Sequence, residues 1–266
     1  MTDLAGGTGP ELARAGRIRD YLLGDGHNLA VDRRLAAALE TAVPDIRQVI
    51  RLNRGFLHRA MRSLLAADIG QFLDLGSSVL AAGNVREVVR RSGHGCRIVH
   101  VDADPITVRQ GRSLLNGAKD AVVVQADPAD AGRVFDHPDT ARMLDPGRPI
   151  GVIMVDLLHF VPDAMGPAAV VAEYRRRIAP GSRVVLSHFT GDHWPTHLTR
   201  STVEVMSRSG DPIRPRSYEE VVAMLAGFEL VEPGVVGVGE WHPERRLDPV
   251  EERAAAGLYA AVARVP

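Results

Sequence analysis

Cysteine is nearly absent from this sequence. Cys96 is the only cysteine among 266 residues, which excludes an internal disulfide and a zinc site built from several thiolates. A chain with one thiol fits a reducing compartment, so we expect the protein in the cytoplasm. We interpret Cys96 as a packed small apolar side chain, because free cysteines usually behave in this way.

Long apolar runs and an excess of charge of one sign are also missing. The longest apolar stretches, such as residues 151–158, fall far short of the roughly 20 residues of a membrane helix, and the first residues do not resemble a secretory signal. The formal net charge of −1 provides no general basic field for nucleic acid or an anionic membrane. We therefore expect a small-molecule substrate and neither of those partners, and the sequence leaves room for a homodimer.

The first quarter of the chain is predicted to be helical. Between about residues 11 and 67, apolar residues recur at steps of three and four, which places them on one helix face. Asp45 follows Pro44 and is a candidate N-cap or first-turn acid for a long helix that runs to about Ala67. We expect residues 1–67 to form a helical extension, or lid, on a core formed by residues 68–266 in a single compact domain.

From Gln71 onward, short runs rich in Val and Ile alternate with helical stretches. Such runs are typical of strands buried on both faces of a parallel sheet, and the alternation predicts right-handed crossovers. The last third departs from this rhythm, and its two closing strands suit an antiparallel addition, joined by a predicted surface connection at residues 232–252. We predict an α/β, Rossmann-like fold with a mostly parallel seven-stranded sheet and helices on both faces. The predicted strands begin at Phe72, Arg97, Ala121, Ile150, Ser182, Gly227 and Leu258.

The first predicted strand ends in an acid and a glycine, in the segment Phe72-Leu-Asp-Leu-Gly76-Ser77-Ser78. At the carboxyl end of the first strand of a doubly wound sheet, the backbone must turn sharply while a ligand comes close, and Gly76 permits both. Ser77 and Ser78 are small and can donate hydrogen bonds. An ordinary turn is the alternative interpretation of this glycine.

The second predicted strand ends close to two acids, Asp102 and Asp104. An acid at this tip, roughly 20 or more residues past the glycine turn, can accept hydrogen bonds from both hydroxyls of a ribose. We assign that role to Asp102. Asp104 stands directly before Pro105 and is better placed to cap the helix that follows.

The third and fourth predicted strands also end near titratable residues. Asp127 can hydrogen-bond an adenine amino group across the sheet edge, but helix capping by Asp127 or Asp130 is an equal alternative. Asp156 and His159 follow the fourth strand, at the side of an open sheet that faces a ligand crevice. His159 can serve there as a general base, or it can have a packing role.

Together these elements resemble the class I S-adenosylmethionine-dependent methyltransferases over about residues 72–188. The segment Arg17-Ile-Arg-Asp-Tyr-Leu-Leu-Gly-Asp-Gly-His-Asn-Leu-Ala-Val-Asp is similar to the opening signature of an actinobacterial S-adenosyl methyltransferase family of largely unassigned substrates. The likeness then spans nearly the whole chain. It continues in Asn53-Arg-Gly-Phe-Leu, Gly83-Asn-Val-Arg-Glu-Val, Leu158-His-Phe-Val-Pro, Leu186-Ser-His and Val231-Glu-Pro-Gly.

This chain departs from the family pattern at two places. The pattern has a threonine and a second glycine after the first glycine, where this chain has Ser77-Ser78. The lysine-aspartate pair usual before Asn28 is Gly26-His27. The first change removes backbone freedom next to the methionine end of the cofactor.

The resemblance implies S-adenosyl-L-methionine as the cofactor and methyl transfer to a small molecule, with O-methylation favoured. The resemblance implies that the helical extension packs over the crevice, with Tyr21, Gly24 and Asn28 covering cofactor or substrate. A helix that ends at a glycine cap is a sufficient alternative explanation for Gly24. The expected cofactor-binding residues are Tyr21, Asn28, Asp74, Gly76, Ser77, Ser78, Asn84, Asp102, Ala103, Asp127, Pro128, Asp156 and Leu157.

Methyl transfer needs an electrophile held in line with a nucleophile, and a proton acceptor helps an oxygen nucleophile. We expect His159 or His188 to act as that acceptor. Residues 189–206, including Trp194, follow a strand end without a regular pattern and are predicted to face the substrate.

No metal site is expected. His188, His193 and His197 lie close together in sequence, but Pro195 interrupts the helix that would place His193 and His197 on one face. An active-site loop is the preferred interpretation of this stretch.

Three other functions are compatible with the same sequence plan. A nicotinamide dehydrogenase would normally carry Gly-x-Gly-x-x-Gly, whereas the corresponding positions here are Gly76, Ser78 and Ala81. The same fold and cofactor can serve a cyclisation or rearrangement. A non-catalytic binding module of this fold is the third alternative.

Overall fold

The computed structural model describes residues 12–76 and 83–266. Ser77 and Ser78 lie outside the described residues, so their predicted contact with the cofactor stays a prediction. Within the described ranges, no helix is long and apolar enough to cross a membrane.

Three helices precede the first strand, in agreement with the sequence-based prediction: α1 (Ala15–Leu23), α2 (Ala30–Ala42) and α3 (Ile46–Leu65). The apolar side chains of these helices pack against one face of the sheet, and together they form one buried cluster. Gly24 ends α1 in a left-handed conformation with φ of 94°, the usual glycine cap. Asp45 occupies the N-cap position of α3, but its side chain makes no capping hydrogen bond.

One sheet forms the centre of the molecule. Its strands are β1 (Gln71–Leu75), β2 (Arg97–Asp102), β3 (Ala121–Gln125), β4 (Gly151–Met154), β5 (Arg183–Phe189), β6 (Glu229–Leu230), β7 (Val236–Gly237) and β8 (Leu258–Arg264). The order is β3-β2-β1-β4-β5-β8-β6, with β7 also paired to β8. The pairs among β1 to β5 are parallel, whereas β8 is antiparallel to its neighbours. Because β6 and β7 pair with opposite ends of β8, eight strands fill the seven predicted positions.

The remaining helices cover both faces of the sheet. They are α4 (Val85–Ser92), α5 (Pro105–Leu114), α6 (Ala131–Asp136), α7 (Pro138–Met143), α8 (Pro167–Arg176), α9 (Thr196–Met206), α10 (Tyr218–Met224) and α11 (Pro249–Ala255). The helix predicted near residues 129–144 is divided into α6 and α7. His137 is extended between them, with ψ of 131°, because the residue before Pro138 disfavours the helical conformation.

The segment 232–252 connects elements as predicted, but it does not lie wholly on the surface. Trp241 is fully buried and packs edge-on against Phe56, with 5.5 Å between the ring centroids. Arg59 of α3 donates hydrogen bonds to the carbonyl oxygens of Trp241 and Val238, each at 2.8 Å. The segment therefore closes the core beside α3, a long-range contact that its glycine- and proline-rich composition does not reveal.

Candidate active site

Three neighbouring cavities lie at the carboxyl ends of the strands, and all three are lined in part by Arg19 and Asp156. The strand-end crevice includes Gly16, Gly76, Asp102, Ala103, Pro128 and Leu157. The inner cavity includes Asn53, Arg54, Asp74, Gly76, Asn84 and Val85. The apolar chamber includes Ile18, Leu22, Leu39, Val49, Trp194 and Met206.

Asp102 ends β2 and lines the strand-end crevice, where sequence reasoning placed it. Burial raises the pKa of Asp102 to about 7, and the charges of Asp104 and Asp211 act in the same direction. The backbone N–H of Asp104, which donates to Asp102 Oδ1 at 2.8 Å, and the charge of Arg14 act against this shift. A ligand hydroxyl that donates to the carboxylate would favour its charged form.

Gly76 lies where the strand-end crevice meets the inner cavity. Its φ is 67°, and a Cβ at this position would lie 2.9 Å from Leu157 Cδ1. The backbone conformation therefore favours glycine, and a larger residue would have to displace the Leu157 side chain. Leu157, Ala103 and Pro128 line the same crevice, so the structure brings these predicted residues together with Asp102.

Asp127 is placed differently. Its Oδ1 accepts a hydrogen bond from the N–H of Ala129 at 2.9 Å, within the turn that leads into α6. Asp127 is not among the residues that line the strand-end crevice, although its neighbour Pro128 is. Asp130 caps α6 by accepting from the N–H of Arg133. These contacts favour the capping interpretation of both acids over the adenine-binding one for Asp127.

Asp74 and Asn84 line the inner cavity. Asp74 Oδ2 lies 2.9 Å from His100 Nδ1, on the neighbouring strand β2. Asn84 caps α4, since its side chain accepts from the N–H of Glu87 at 3.1 Å. Both predicted residues are thus held in fixed orientations beside the cavity.

The opposite wall of the inner cavity contains two residues of α3 to which sequence reasoning gave no role, Asn53 and Arg54. Burial, together with the charge of Arg19, lowers the pKa of Arg54 to about 10, while Asp74 and Asp156 oppose the shift. Asn53 is 1% exposed. Its side-chain amide is close enough to Asp156 to lower the pKa of that carboxyl group. Neither amide atom, however, forms a hydrogen bond with good distance and angles to the described residues. In the sequence, Asn53 and Arg54 could have been recognised as two consecutive polar residues in a helix with a long apolar face.

Arg19 of α1 connects the helical extension to the sheet. Its Nη1 lies 3.0 Å from Asp156 Oδ2, and its Nη2 donates to the carbonyl oxygen of Gly76 at 3.2 Å. Burial would raise the pKa of Asp156, but Arg19 and its other polar neighbours hold it below the usual value. A balanced, buried ion pair therefore stands where the three cavities meet.

Arg17 fixes the position of α1 above the end of β2. Its guanidinium is almost fully buried, with Nε 2.8 Å from Asp32 Oδ2 and a second ion pair to Asp104. Asp32, fully buried, also accepts from the N–H of Leu29 at 2.8 Å. Asp104 additionally accepts from the first turn of α5, which agrees with the predicted cap. The opening signature of the sequence thus contains the residues that hold α1 in place.

Tyr21 and Asn28, by contrast, are not among the residues that line the three cavities. The side-chain amide of Asn28 donates to Asp20 Oδ2 at 2.8 Å and to the carbonyl oxygen of Asp25 at 2.9 Å. The Tyr21 ring lies below the guanidinium of Arg47, 5.3 Å away. These contacts stabilise the turn after α1, and they do not support the predicted role in covering cofactor or substrate.

His159 lies at the wall of the apolar chamber and is 2% exposed. Its Nδ1 accepts a hydrogen bond from the N–H of Phe189 at 3.2 Å. Burial lowers the pKa of His159 to about 4. The neutral ring therefore carries its proton on Nε2, and its lone pair is already engaged, so the geometry favours a hydrogen-bond donor over a general base.

His188 is fully buried in β5 and is not among the residues that line the three cavities. Its Nδ1 donates to the carbonyl oxygen of Phe189 at 2.8 Å, and its Nε2 accepts from Arg216 Nη1 at 3.0 Å. Burial lowers its pKa well below the usual value. Both ring nitrogens are occupied, which favours a structural role over the predicted catalytic one.

The stretch predicted to face substrate contributes to the apolar chamber through Phe189, Trp194, Thr202 and Met206. The opposite walls come from α1, α2 and α3. Across residues 12–76 and 83–266, no cluster of three or more potential metal-ligating side chains is present.

The sheet order, the tight glycine after β1 and the acids after β2 and β4 define a Rossmann-like fold of the class I methyltransferase type. The model of the S-adenosyl methyltransferase family matches residues 9–266, and the chain belongs to that family. Its cofactor is S-adenosylmethionine.

Two solved structures are similar over almost the whole chain. A "putative methyltransferase" from Thermobifida fusca YX is 32% identical, with a TM-score of 0.88 and 96% of each chain covered. A DUF574 family protein from Streptomyces avermitilis MA-4680 is 31% identical, with a TM-score of 0.87, 97% of this chain and 99% of that chain covered. Both come from actinobacteria. No match was found among curated proteins.

Proposed function

We propose that this protein transfers the methyl group of S-adenosylmethionine to a small molecule, with an oxygen atom as the favoured acceptor. The observation that carries the proposal is the junction at Arg19 and Asp156, where two cavities that contain several charged side chains meet a third with an almost wholly apolar lining. A methyltransferase needs this arrangement, because a polar cofactor must present its methyl group to a second, separate compartment.

The adenosine part of the cofactor fits the strand-end crevice. Asp102 would accept hydrogen bonds from the ribose hydroxyls, and Pro128 and Leu157 would lie beside the base. Gly76 lets Leu157, which lines the same crevice, pack directly against the turn after β1.

The methionine part fits the inner cavity. Arg54 is a buried cation suited to the carboxylate, and Asp74 is an anion suited to the ammonium group. The side-chain amide of Asn53 is buried beside both. This mixture of opposite charges and an amide matches a zwitterion better than it matches a pyrophosphate.

S-adenosylmethionine supplies an electrophilic methyl group on a positively charged sulfur when it is bound. The chain's own contribution is enclosure and orientation. We propose that residues 1–67 act as a lid, in which Arg17 holds α1 over the crevice and Arg19 closes it against Asp156. His159 Nε2–H would donate to the acceptor oxygen and orient it. As the methyl–oxygen bond forms and the methyl–sulfur bond breaks, the Asp156 carboxylate in the same chamber would accept the hydroxyl proton.

A second candidate uses the same cofactor site for a cyclisation or rearrangement. It is favoured by the occupied lone pairs of His159 and His188, since neither is available for the proton of a hydroxyl nucleophile. The single buried thiol supports a cytoplasmic location for either activity.

Calorimetric titration with S-adenosylmethionine and S-adenosylhomocysteine tests the proposal. We expect both to bind, NAD not to bind, and label from methyl-tritiated cofactor to appear in an organic-extractable product of an actinobacterial metabolite extract. Binding of neither cofactor form would refute the proposal, whereas binding with altered but unlabelled products would favour the second candidate.

A further inference from the structure

We infer that the apolar chamber binds the methyl acceptor, and that this acceptor is an uncharged, largely apolar molecule with one hydroxyl group. The inference rests on the proposed function and adds to it the location and the chemical class of the second substrate.

The chamber is built from aliphatic and aromatic side chains of distant elements. Ile18 and Leu22 of α1, Val49 of α3 and Met206 of α9 are each no more than 5% exposed, yet all of them line it. Thr202 adds a hydroxyl, but that group donates to the carbonyl oxygen of Leu198 at 2.8 Å. A cavity with such walls offers water few partners, so it favours an apolar occupant.

The polar groups of the chamber that remain are Arg19, Asp156 and His159. Arg19 and Asp156 form an ion pair at 3.0 Å, and His159 lies in the short helical turn Leu158–Phe160 that follows Asp156 along the chain. Arg19 and Asp156 also line the crevice assigned to the cofactor. The chamber therefore has one polar end, and that end faces the methyl donor.

The polar end of the chamber has no net charge. Arg19 and Asp156 balance each other, and His159 is neutral at pH 7 because burial lowers its pKa to about 4. A buried carboxylate or ammonium group on the ligand would lack a free partner and would carry a large desolvation cost. A hydroxyl fits, since it can accept from His159 Nε2–H and donate to the Asp156 carboxylate.

One wall of the chamber favours a ring. Phe189 and Trp194 contact each other edge to face, with 5.8 Å between centroids, and both line the chamber. Aromatic walls of this kind bind flat ligands by stacking and edge contacts.

The test uses three probes of matched shape, 1-naphthol, 1-naphthoate and 1-naphthylmethylammonium, titrated into the full-length protein saturated with S-adenosylhomocysteine. We expect 1-naphthol to bind at least about tenfold more tightly than either charged probe, because only the charged probes place an unpaired charge in the chamber.

Two variants locate the site. Val49→Phe fills the chamber and should weaken 1-naphthol by about tenfold or more while S-adenosylhomocysteine still binds, because Val49 does not line the cofactor cavities. Leu39→Ala enlarges the chamber and should alter the preference for probe size, and the matched variant Leu114→Ala, at an exposed leucine outside the chamber, should not.

The outcomes separate the two proposals. The acceptor assignment is overturned if S-adenosylhomocysteine binds but 1-naphthol binds no more tightly than the charged probes. It is also overturned if Val49→Phe and Leu39→Ala both leave 1-naphthol binding unchanged. In either case the proposed function stands. If S-adenosylhomocysteine does not bind to the wild-type protein, the proposed function fails and this inference fails with it.

Discussion

The strand-end crevice and the apolar chamber lie on either side of the Arg19–Asp156 pair, and opposite kinds of side chain build them. The crevice takes its polar groups from the ends of β2 and β4, such as Asp102 and Asp156, and from the N-terminal helical region, through Arg14 and Arg19. The chamber takes its walls mainly from α1, α2, α3 and α9, through aliphatic side chains. The difference supports the proposed division of work, in which charged side chains at the strand ends and on α1 would bind a polar ligand and aliphatic side chains of the helices would enclose an apolar one.

The ion pair between Arg19 and Asp156 separates the crevice from the chamber. Of the proposed changes, breaking this pair should have the largest effect on the protein. Arg19→Met leaves Asp156 buried without its partner, so we expect a loss of about 3 kcal/mol in the free energy of unfolding at pH 7, measured by urea denaturation. In the wild type the depressed pKa of Asp156 adds stability above its unfolded-state pKa, and that stability is lost as the pH falls through the folded-state value.

The double variant Arg19→Met/Asp156→Asn provides the control, because it removes both charges. It should be more stable than Arg19→Met alone. An additive loss in the double variant would contradict the view that the pair acts as a unit.

A substitution at Gly76 tests the crevice side of the comparison, because Gly76 lines the crevice and not the chamber. Gly76→Ala places a Cβ 2.9 Å from Leu157 Cδ1, so the crevice-lining Leu157 must shift, and S-adenosylhomocysteine should bind about thirtyfold more weakly, the equivalent of about 2 kcal/mol. Gly93→Ala is the matched control, since Gly93 has φ of 75° and nothing within 4 Å of the position that a Cβ would take. Equal calorimetric affinities for the two variants would show that the crevice does not need the space at Gly76.

The protonation of Asp102 should have a smaller effect on cofactor affinity, and this effect should depend on pH. The ionised carboxylate accepts from both ribose hydroxyls more strongly than the protonated group does, so S-adenosylhomocysteine affinity should rise by up to about tenfold between pH 6 and pH 8, as the pH passes the pKa of about 7. Asp102→Asn should remove most of this dependence. Asp127→Asn is the comparison, and it should retain the dependence because Asp127 bonds within its own turn.

The smallest change is expected at His159, on the chamber side. Its ring should stay neutral, with the proton on Nε2, and its nitrogen resonances should not titrate between pH 6 and pH 8, because burial lowers the pKa to about 4. Nitrogen-15 NMR of histidine-labelled protein measures this directly. A titration near neutral pH would restore His159 as a candidate general base.

The sequence predicted the crevice better than the chamber, for a topological reason. The carboxyl ends of parallel strands share one edge of the sheet, so Gly76, Asp102 and Asp156 come together once the strands are recognised. Asp127 also follows a strand, but its hydrogen bond from Ala129 N–H favours the local capping role, and its role in adenine binding stays a prediction.

Residues on helices were harder to predict, because their direction depends on how each helix rotates against the sheet. Arg19 and Arg54 lie in two of the family motifs, but only tertiary packing shows that both line the inner cavity together with Asp156. Tyr21 and Asn28 lie in the same kind of motif and support a turn instead. The tautomer of His159 depends on the backbone N–H of Phe189, thirty positions away along the chain, which no local pattern reveals.

The most direct test of the division between crevice and chamber is a crystal structure with S-adenosylhomocysteine. We predict that the ribose hydroxyls bind Asp102, that the amino-acid end lies beside Arg54 and Asp74, and that the sulfur faces the apolar chamber across Asp156. A ligand bound with its sulfur directed away from that chamber, or bound outside the crevice and the inner cavity, would contradict the account.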